Sequence, residues 1–141
     1  MSINEAQEEI IEEFSFFEDW MDKYEHIIDL GKELEGLDDV HKLDEHLVKG
    51  CQSKVWLTAD MKDDALHFSA DSDAIITKGL VALMMRVLSG NKPEDIMNAD
   101  LYFVDRIGLK EHLSPTRSNG LVSMIKKMKL YAIAYHAKAQ S

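Results

Sequence analysis

The chain has 141 residues, the size of one ordinary domain, and carries a formal net charge of -10, with 26 acidic side chains against 16 Lys and Arg. That balance argues against a nucleic-acid partner, whose phosphates require clustered bases. The single cysteine rules out an internal disulfide and fits a reducing cytoplasm.

The opening residues, Met1-Ser2-Ile3-Asn4-Glu5, lack the basic start and apolar run of a signal peptide. The most apolar stretch, Gly79 to Leu88, is too short for a bilayer and contains Arg86. The expectation is a cytoplasmic, soluble protein with one domain over residues 1–141 and no membrane partner. Charge is unevenly spread: residues 1–50 hold sixteen acids against four lysines, and residues 106–141 hold one acid against seven bases. Such asymmetry can steer a protein partner, although two solvated faces also account for it.

From Ile3 to Phe17 the pattern is helical, with Ile10, Ile11, Phe14 and Phe17 on one side and glutamates elsewhere. A second helix is expected from about Glu18 to Leu34, its inward stripe running through Trp20, Tyr24, Ile27, Ile28 and Leu30 or Gly31. Gly36 is read as its stop. A polar connection over residues 36–46 contains His41 and His46, near the cysteine. Structural zinc takes four ligands, usually several of them cysteines, so no metal site is expected.

Beyond Cys51 the period changes to two. Val55, Leu57 and Ala59 alternate with Trp56, Thr58 and Asp60, and Leu66, Phe68 and Ala70 alternate with His67, Ser69 and Asp71. With Met61-Lys62-Asp63-Asp64 as the turn, this predicts an antiparallel hairpin with one buried face. Residues 47–49 can add a short edge strand. Ser72 or Asp73 is the expected N-cap of a helix that is apolar nearly all round from Ile75 to Leu88 and belongs in the core. Ser89-Gly90-Asn91 ends it, and Pro93 opens a short helix to Met97. Residues 101–113 read as short helical turns. Ser114-Pro115 then caps a last helix with Leu121, Met124, Ile125, Met128, Ala132 and Tyr135 on one face. Gly120, inside its first turns, costs about 1 kcal/mol relative to alanine, and close packing or backbone approach would justify it. The fold class is α+β, a small antiparallel sheet with helices packed on one face.

The chemistry centres on Val48-Lys49-Gly50-Cys51-Gln52-Ser53-Lys54-Val55-Trp56. Cys51 sits in a loop leading into a strand, after a flexible glycine. A thiol reacts as its thiolate, and Lys49 and Lys54 are placed to favour that form. Against this stands the frequency with which a free cysteine is a small buried apolar residue.

Three stretches carry a resemblance: this loop, Asp71-Ser72-Asp73-Ala74-Ile75-Ile76-Thr77-Lys78-Gly79-Leu80, and Leu113-Ser114-Pro115-Thr116-Arg117-Ser118-Asn119-Gly120-Leu121. Together they resemble the SufE family of sulfur acceptors in iron–sulfur cluster assembly, over essentially the whole chain. The resemblance implies a fold shared with IscU-type cluster scaffolds and a persulfide-accepting cysteine at Cys51. It implies a partner cysteine desulfurase, of the SufS or CsdA kind, that carries the pyridoxal phosphate. It also implies a downstream iron–sulfur scaffold of the SufBCD kind.

Residue chemistry agrees with that picture. One thiolate cannot hold a cluster, and no glycine-rich phosphate loop is present, so the chain is expected to bind no cofactor and to have no desulfurase activity of its own. It would act as an accessory sulfurtransferase that stimulates the desulfurase. Gly50 supplies loop freedom. Arg117 is expected to support the sheltered loop, to contact the desulfurase, or to make only a structural contact at the helix start, and Asp73 to face the partner or merely cap a helix. Two other functions stay open: a non-covalent adaptor of the desulfurase, and a cysteine hydrolase pairing Cys51 with His46 or His112.

Overall fold

A computed structural model describes residues 2–51 and 53–140; Gln52, inside the cysteine motif, and the ends Met1 and Ser141 lie outside the described residues. The fold is α+β, with a two-stranded antiparallel sheet and helices before and after it.

Helix α1 (Ile3–Ser15) opens with a capping box. The Ser2 hydroxyl accepts from the Glu5 amide at 3.1 Å, and the Glu5 carboxylate accepts from the Ser2 amide at 3.0 Å. Its spacing buries Ile3, Ala6, Ile10 and Phe14 on one side. Gln7 is buried there as well, and both ends of its amide are satisfied by the distant backbone: it donates to the Asp100 carbonyl and accepts from the Phe103 amide. The helix stops two residues before Phe17, which is half-buried beside His26.

Helix α2 (Trp20–Lys32) crosses α3 (Ile75–Leu88) through two glycines. A Cβ on Gly31 would lie 2.6 Å from the Gly79 nitrogen, and one on Gly79 would fall onto the Ile27 carbonyl oxygen. Backbone meets backbone here, so neither position admits a side chain. Of the two inward candidates on α2, Gly31 is the buried one and Leu30 is half-buried. Arg86 of α3 then ties the helices together, reaching Glu9 at 2.7 Å and Glu13 at 3.0 Å on α1, while Glu13 also meets His26 of α2 at 2.7 Å.

Gly36 does not terminate α2, which ends at Lys32 with Glu33 as its cap. Its φ of 76° and its position against Asp71 explain it instead: a Cβ would lie 2.6 Å from the Asp71 carboxylate. Asp71 is 7% exposed and accepts from the amides of Leu37 and Ser72, with Lys42 and Lys78 at 3.3 and 3.4 Å. Burial pushes its carboxyl up, but the two amides and two lysines outweigh that and hold its pKa below the usual value. This one side chain seats the connection over residues 36–42 on the end of the hairpin.

Strands β1 (Val55–Lys62) and β2 (Ala65–Ser72) pair Leu57 with Ala70, Ala59 with Phe68 and Met61 with Leu66. Met61 and Lys62 belong to the strand, not the turn. Only Asp63 and Asp64 turn the chain, with φ of 53° and 64°, the positive pair that a tight primed turn requires. His67 points outward, as its parity predicts.

A two-stranded sheet leaves both rims open, and here both are covered. The Tyr131 and Tyr135 hydroxyls donate to the carbonyls of Leu57 and Ala59 on β1. On the β2 side Leu66 exchanges two backbone bonds with residues 90 and 91, and the Ser89 hydroxyl accepts from the Phe68 amide. The expected third strand over residues 47–49 reduces to one bridge, Leu47 to Trp56.

The N-cap of α3 is Ala74, without a side-chain cap; Ser72 and Asp73 are spent elsewhere. Helix α4 (Pro93–Met97) and the turns α5 (Phe103–Arg106) and α6 (Leu109–His112) follow. They lead into α7 (Pro115–Gln140), whose first turn is capped by the Ser114 hydroxyl accepting from the Arg117 amide at 3.3 Å. Leu121, Met124, Met128 and Ala132 are buried beneath it, with Ile125 and Tyr135 half-buried.

Substitution Gly79→Ala should destabilise the domain by about 3 kcal/mol, measured by urea unfolding, because the α2 backbone has no room to move aside. Acid titration supplies a second check. A carboxylate with a lowered folded pKa contributes stability above its unfolded pKa and loses it as pH falls through the folded one. The acid limb of stability should therefore be shallower in Asp71→Asn than in the parent chain, and the variant less stable at neutral pH.

Candidate functional site

Cys51 follows Gly50, whose φ is 93°. That left-handed residue turns the loop onto α7, and a Cβ on it would lie 2.6 Å from the Ser123 hydroxyl oxygen. The next contact is made by the cysteine. Its thiol donates to the Gly120 carbonyl at 3.5 Å, and a Cβ on Gly120 would sit 3.4 Å from Sγ. The turn of α7 at Gly120 is the seat of the Cys51 thiol, which packs there at ordinary van der Waals range.

The thiol is half-buried in the wall of a cavity of about 210 Å³. Ala74, Leu80 and Met124 give it an apolar side; Ser53, Thr77, Thr116 and Arg117 give it a polar one. Three chain segments therefore meet at the cavity: the cysteine loop, the start of α3 and the start of α7. These are the stretches singled out in the sequence.

Burial pushes the Cys51 thiol pKa up. Of the two roles open to Lys49 and Lys54, lowering the thiol pKa or simply lying exposed, this arrangement has the second: both lysines are exposed, and no lysine charge contributes to the shift. In this position the sulfur is a protected thiol, not a prepared thiolate.

Asp73 neither caps α3 nor projects freely. Its carboxylate accepts from the Lys54 amide at 2.9 Å, and its own amide donates to the Lys54 carbonyl at 3.2 Å. Ser72 adds a third tie, its hydroxyl donating to the same carbonyl at 2.8 Å. The far end of the cysteine loop is therefore fastened at Lys54, while its near end turns at Gly50.

Arg117 reaches the cavity from the first turn of α7 and is half-buried. Among the described residues its guanidinium has no hydrogen-bond or ion-pair partner. A guanidinium left in this state at the rim of an otherwise neutral cavity is prepared for an anion.

Neither histidine considered for a hydrolase lines this cavity. His46 bonds the His41 carbonyl at 2.9 Å on the sheet side of the molecule, and His112 stacks on Trp20 with ring centres 4.5 Å apart. Among the described residues no three His, Cys, Asp or Glu side chains are grouped to hold a metal ion, and no helix is long and apolar enough to cross a membrane.

The sequence reading missed Ser53, Thr77 and Thr116 as members of the site. Thr77 had a signal, being a hydroxyl at an inward position of an apolar helix.

The model of the SufE, Fe-S metabolism associated domain matches residues 8–132. A SufE-like protein of Rhizobium meliloti (strain 1021) is 42% identical over 86% of this chain and 91% of its own length. One from a Synechocystis strain is 37% identical over 89% of this chain and 79% of its own. The fold is also that of a hypothetical protein from Thermus thermophilus solved in solution, with a TM-score of 0.75 at 18% identity, covering 92% of this chain and 94% of that one. With the family model spanning most of the chain and these relatives matching at such identity, the chain belongs to the SufE family and, with it, to the sulfur metabolism of iron–sulfur clusters.

Proposed function

We propose that Cys51 is a sulfur way-station, loaded from the persulfide of a pyridoxal-phosphate cysteine desulfurase and unloaded onto an iron–sulfur assembly scaffold. One observation carries the reading: the single cysteine rests against Gly120 in a half-closed cavity, on a loop with a glycine pivot at one end and a releasable fastening at the other. The chain binds no cofactor in this scheme, and its setting is the reducing cytoplasm.

Transfer starts when the partner draws the loop outward and the thiol leaves Gly120. Solvation then lowers its pKa toward the ordinary thiol value, and the exposed lysines, Lys49 and Lys54, flank the sulfur in the open loop. The Cys51 thiolate attacks the outer sulfur of the partner's persulfide. An Sγ–S bond forms, the partner's S–S bond breaks, and its electron pair leaves on the partner's thiolate. No outside oxidant is needed, since one sulfur is oxidised as the other is reduced. Return of the loop carries the sulfur into the cavity, away from stray thiols and oxidants. Arg117 meets it there as a charge complement, or meets the partner at the rim.

Incubation with a desulfurase and cysteine should add one sulfur atom to the wild-type chain and none to Cys51→Ser, read by intact mass. Cys51→Ser should still bind the desulfurase yet fail to stimulate it under reducing conditions; full stimulation would instead favour a non-covalent adaptor.

Alkylation tests the sheltered state. The pH midpoint for iodoacetamide reaction at Cys51 should lie above the ordinary cysteine range in the free protein. Asp73→Ala should raise the rate about three- to tenfold at neutral pH, the equivalent of roughly 1 kcal/mol of lost loop fastening.

A further inference from the structure

Ser53 and Thr77 both line the Cys51 cavity, their hydroxyl oxygens 3.0 Å apart. Thr77 is only 7% exposed, on the buried side of α3, and its hydroxyl adds to the polar side of the cavity. Each hydroxyl carries one proton. One proton bridges the pair, and among the described residues neither oxygen has a further acceptor. One O–H is therefore unspent in the wall that surrounds the sulfur. The resting thiol is bonded to the Gly120 carbonyl, and neither hydroxyl donates to its sulfur. Ser53 belongs to the loop and Thr77 to α3, so the pair exists only while the loop is home.

A persulfide makes a different demand on the cavity. It extends the side chain by one S–S bond, about 2 Å, and is a stronger acid than its parent thiol. Once ionised, its terminal sulfur would be costly to bury against Ala74, Leu80 and Met124, and the cavity offers it the Arg117 guanidinium at the rim and the hydroxyls of Ser53, Thr77 and Thr116. A cavity of about 210 Å³ has ample room for one added atom.

We propose that the Ser53–Thr77 hydroxyl pair is the receptor for the terminal sulfur of a Cys51 persulfide, donating its spare O–H to the sulfur anion. The proposal rests on the sulfur-carrier reading and adds to it a means of telling the loaded cysteine from the empty one. Loading proceeds by the exchange already written; on closure the terminal S–H gives its proton to solvent, and the anion accepts the hydroxyl hydrogen bond.

The test loads Cys51 with inorganic polysulfide, so that it depends on no partner, and follows the added sulfur by intact mass while dithiothreitol draws it off. The double variant Ser53→Ala/Thr77→Val should lose sulfur about tenfold faster than wild type, the scale of one hydrogen bond to a charged group. Either single variant keeps one O–H and should stay within about threefold, and Thr77→Ser should match wild type. Titrating persulfide absorbance against pH adds a readout that a purely structural role would not move: the double variant should ionise at higher pH. Loss at the wild-type rate with an unshifted titration overturns the proposal. So does a wild-type persulfide that remains protonated at neutral pH, a measurement needing no variant. Loading the same proteins with a desulfurase and cysteine separates the two readings. No sulfur on the wild type there, beside a clear variant effect after polysulfide, refutes the carrier function and supports the receptor. Sulfur delivered and held equally by all variants refutes the receptor alone.

Discussion

The thiol of Cys51 lies against the backbone of a helix that has no side chain at that point, and much of the molecule follows from that contact. It sets the loop directly against the turn of α7 at Gly120, it requires the left-handed turn at Gly50 to bring the loop down beside Ser123, and it sets the cavity between two helix starts. The contact is weak as hydrogen bonds go, one S–H to a carbonyl that also belongs to a helix. Burial at that seat also pushes the thiol pKa up, so the position of the sulfur and its reactivity are tied together.

Two aspartates near the end of β2 divide the support between them. Asp71 points inward and gathers two amides and two lysines, which makes it a permanent structural centre. Asp73, two residues on and exposed, bonds the loop backbone at Lys54 alone among the described residues. The buried acid holds the connection over residues 36–42, and the exposed one holds the cysteine loop. Water can replace the second at small cost and the first only at large cost.

Features set by local rules were readable from the residues. The alternation through Val55–Ala59 and Leu66–Ala70 places the hairpin and its buried face, Pro93 marks the start of α4, and Ser114-Pro115 marks that of α7. What escaped was set by distant chain. Gly36 looks like a helix stop but answers to Asp71, and Gly31 and Gly79 answer to each other. Asp73 has the chemistry of a cap and is claimed by Lys54, so α3 starts without one. Lys49 and Lys54 flank the cysteine in sequence, yet burial dominates the resting thiol. The site was legible as three stretches because each carries its own unusual residues. That Thr77 joins Ser53 beside the sulfur could be known only once α3 and the loop were seen in contact.

The tyrosines over β1 have a bearing on how the protein survives in a crowded cell. Tyr131 and Tyr135 stand one turn apart on α7, and their hydroxyls occupy carbonyls two residues apart on the strand, so the helix is laid along the sheet as a seam along cloth. Peeling back that part of α7 would bare a row of main-chain acceptors next to apolar side chains, an open invitation to strand exchange with a neighbouring molecule. The same helix that seats the sulfur at one end therefore keeps the molecules from knitting together along its length.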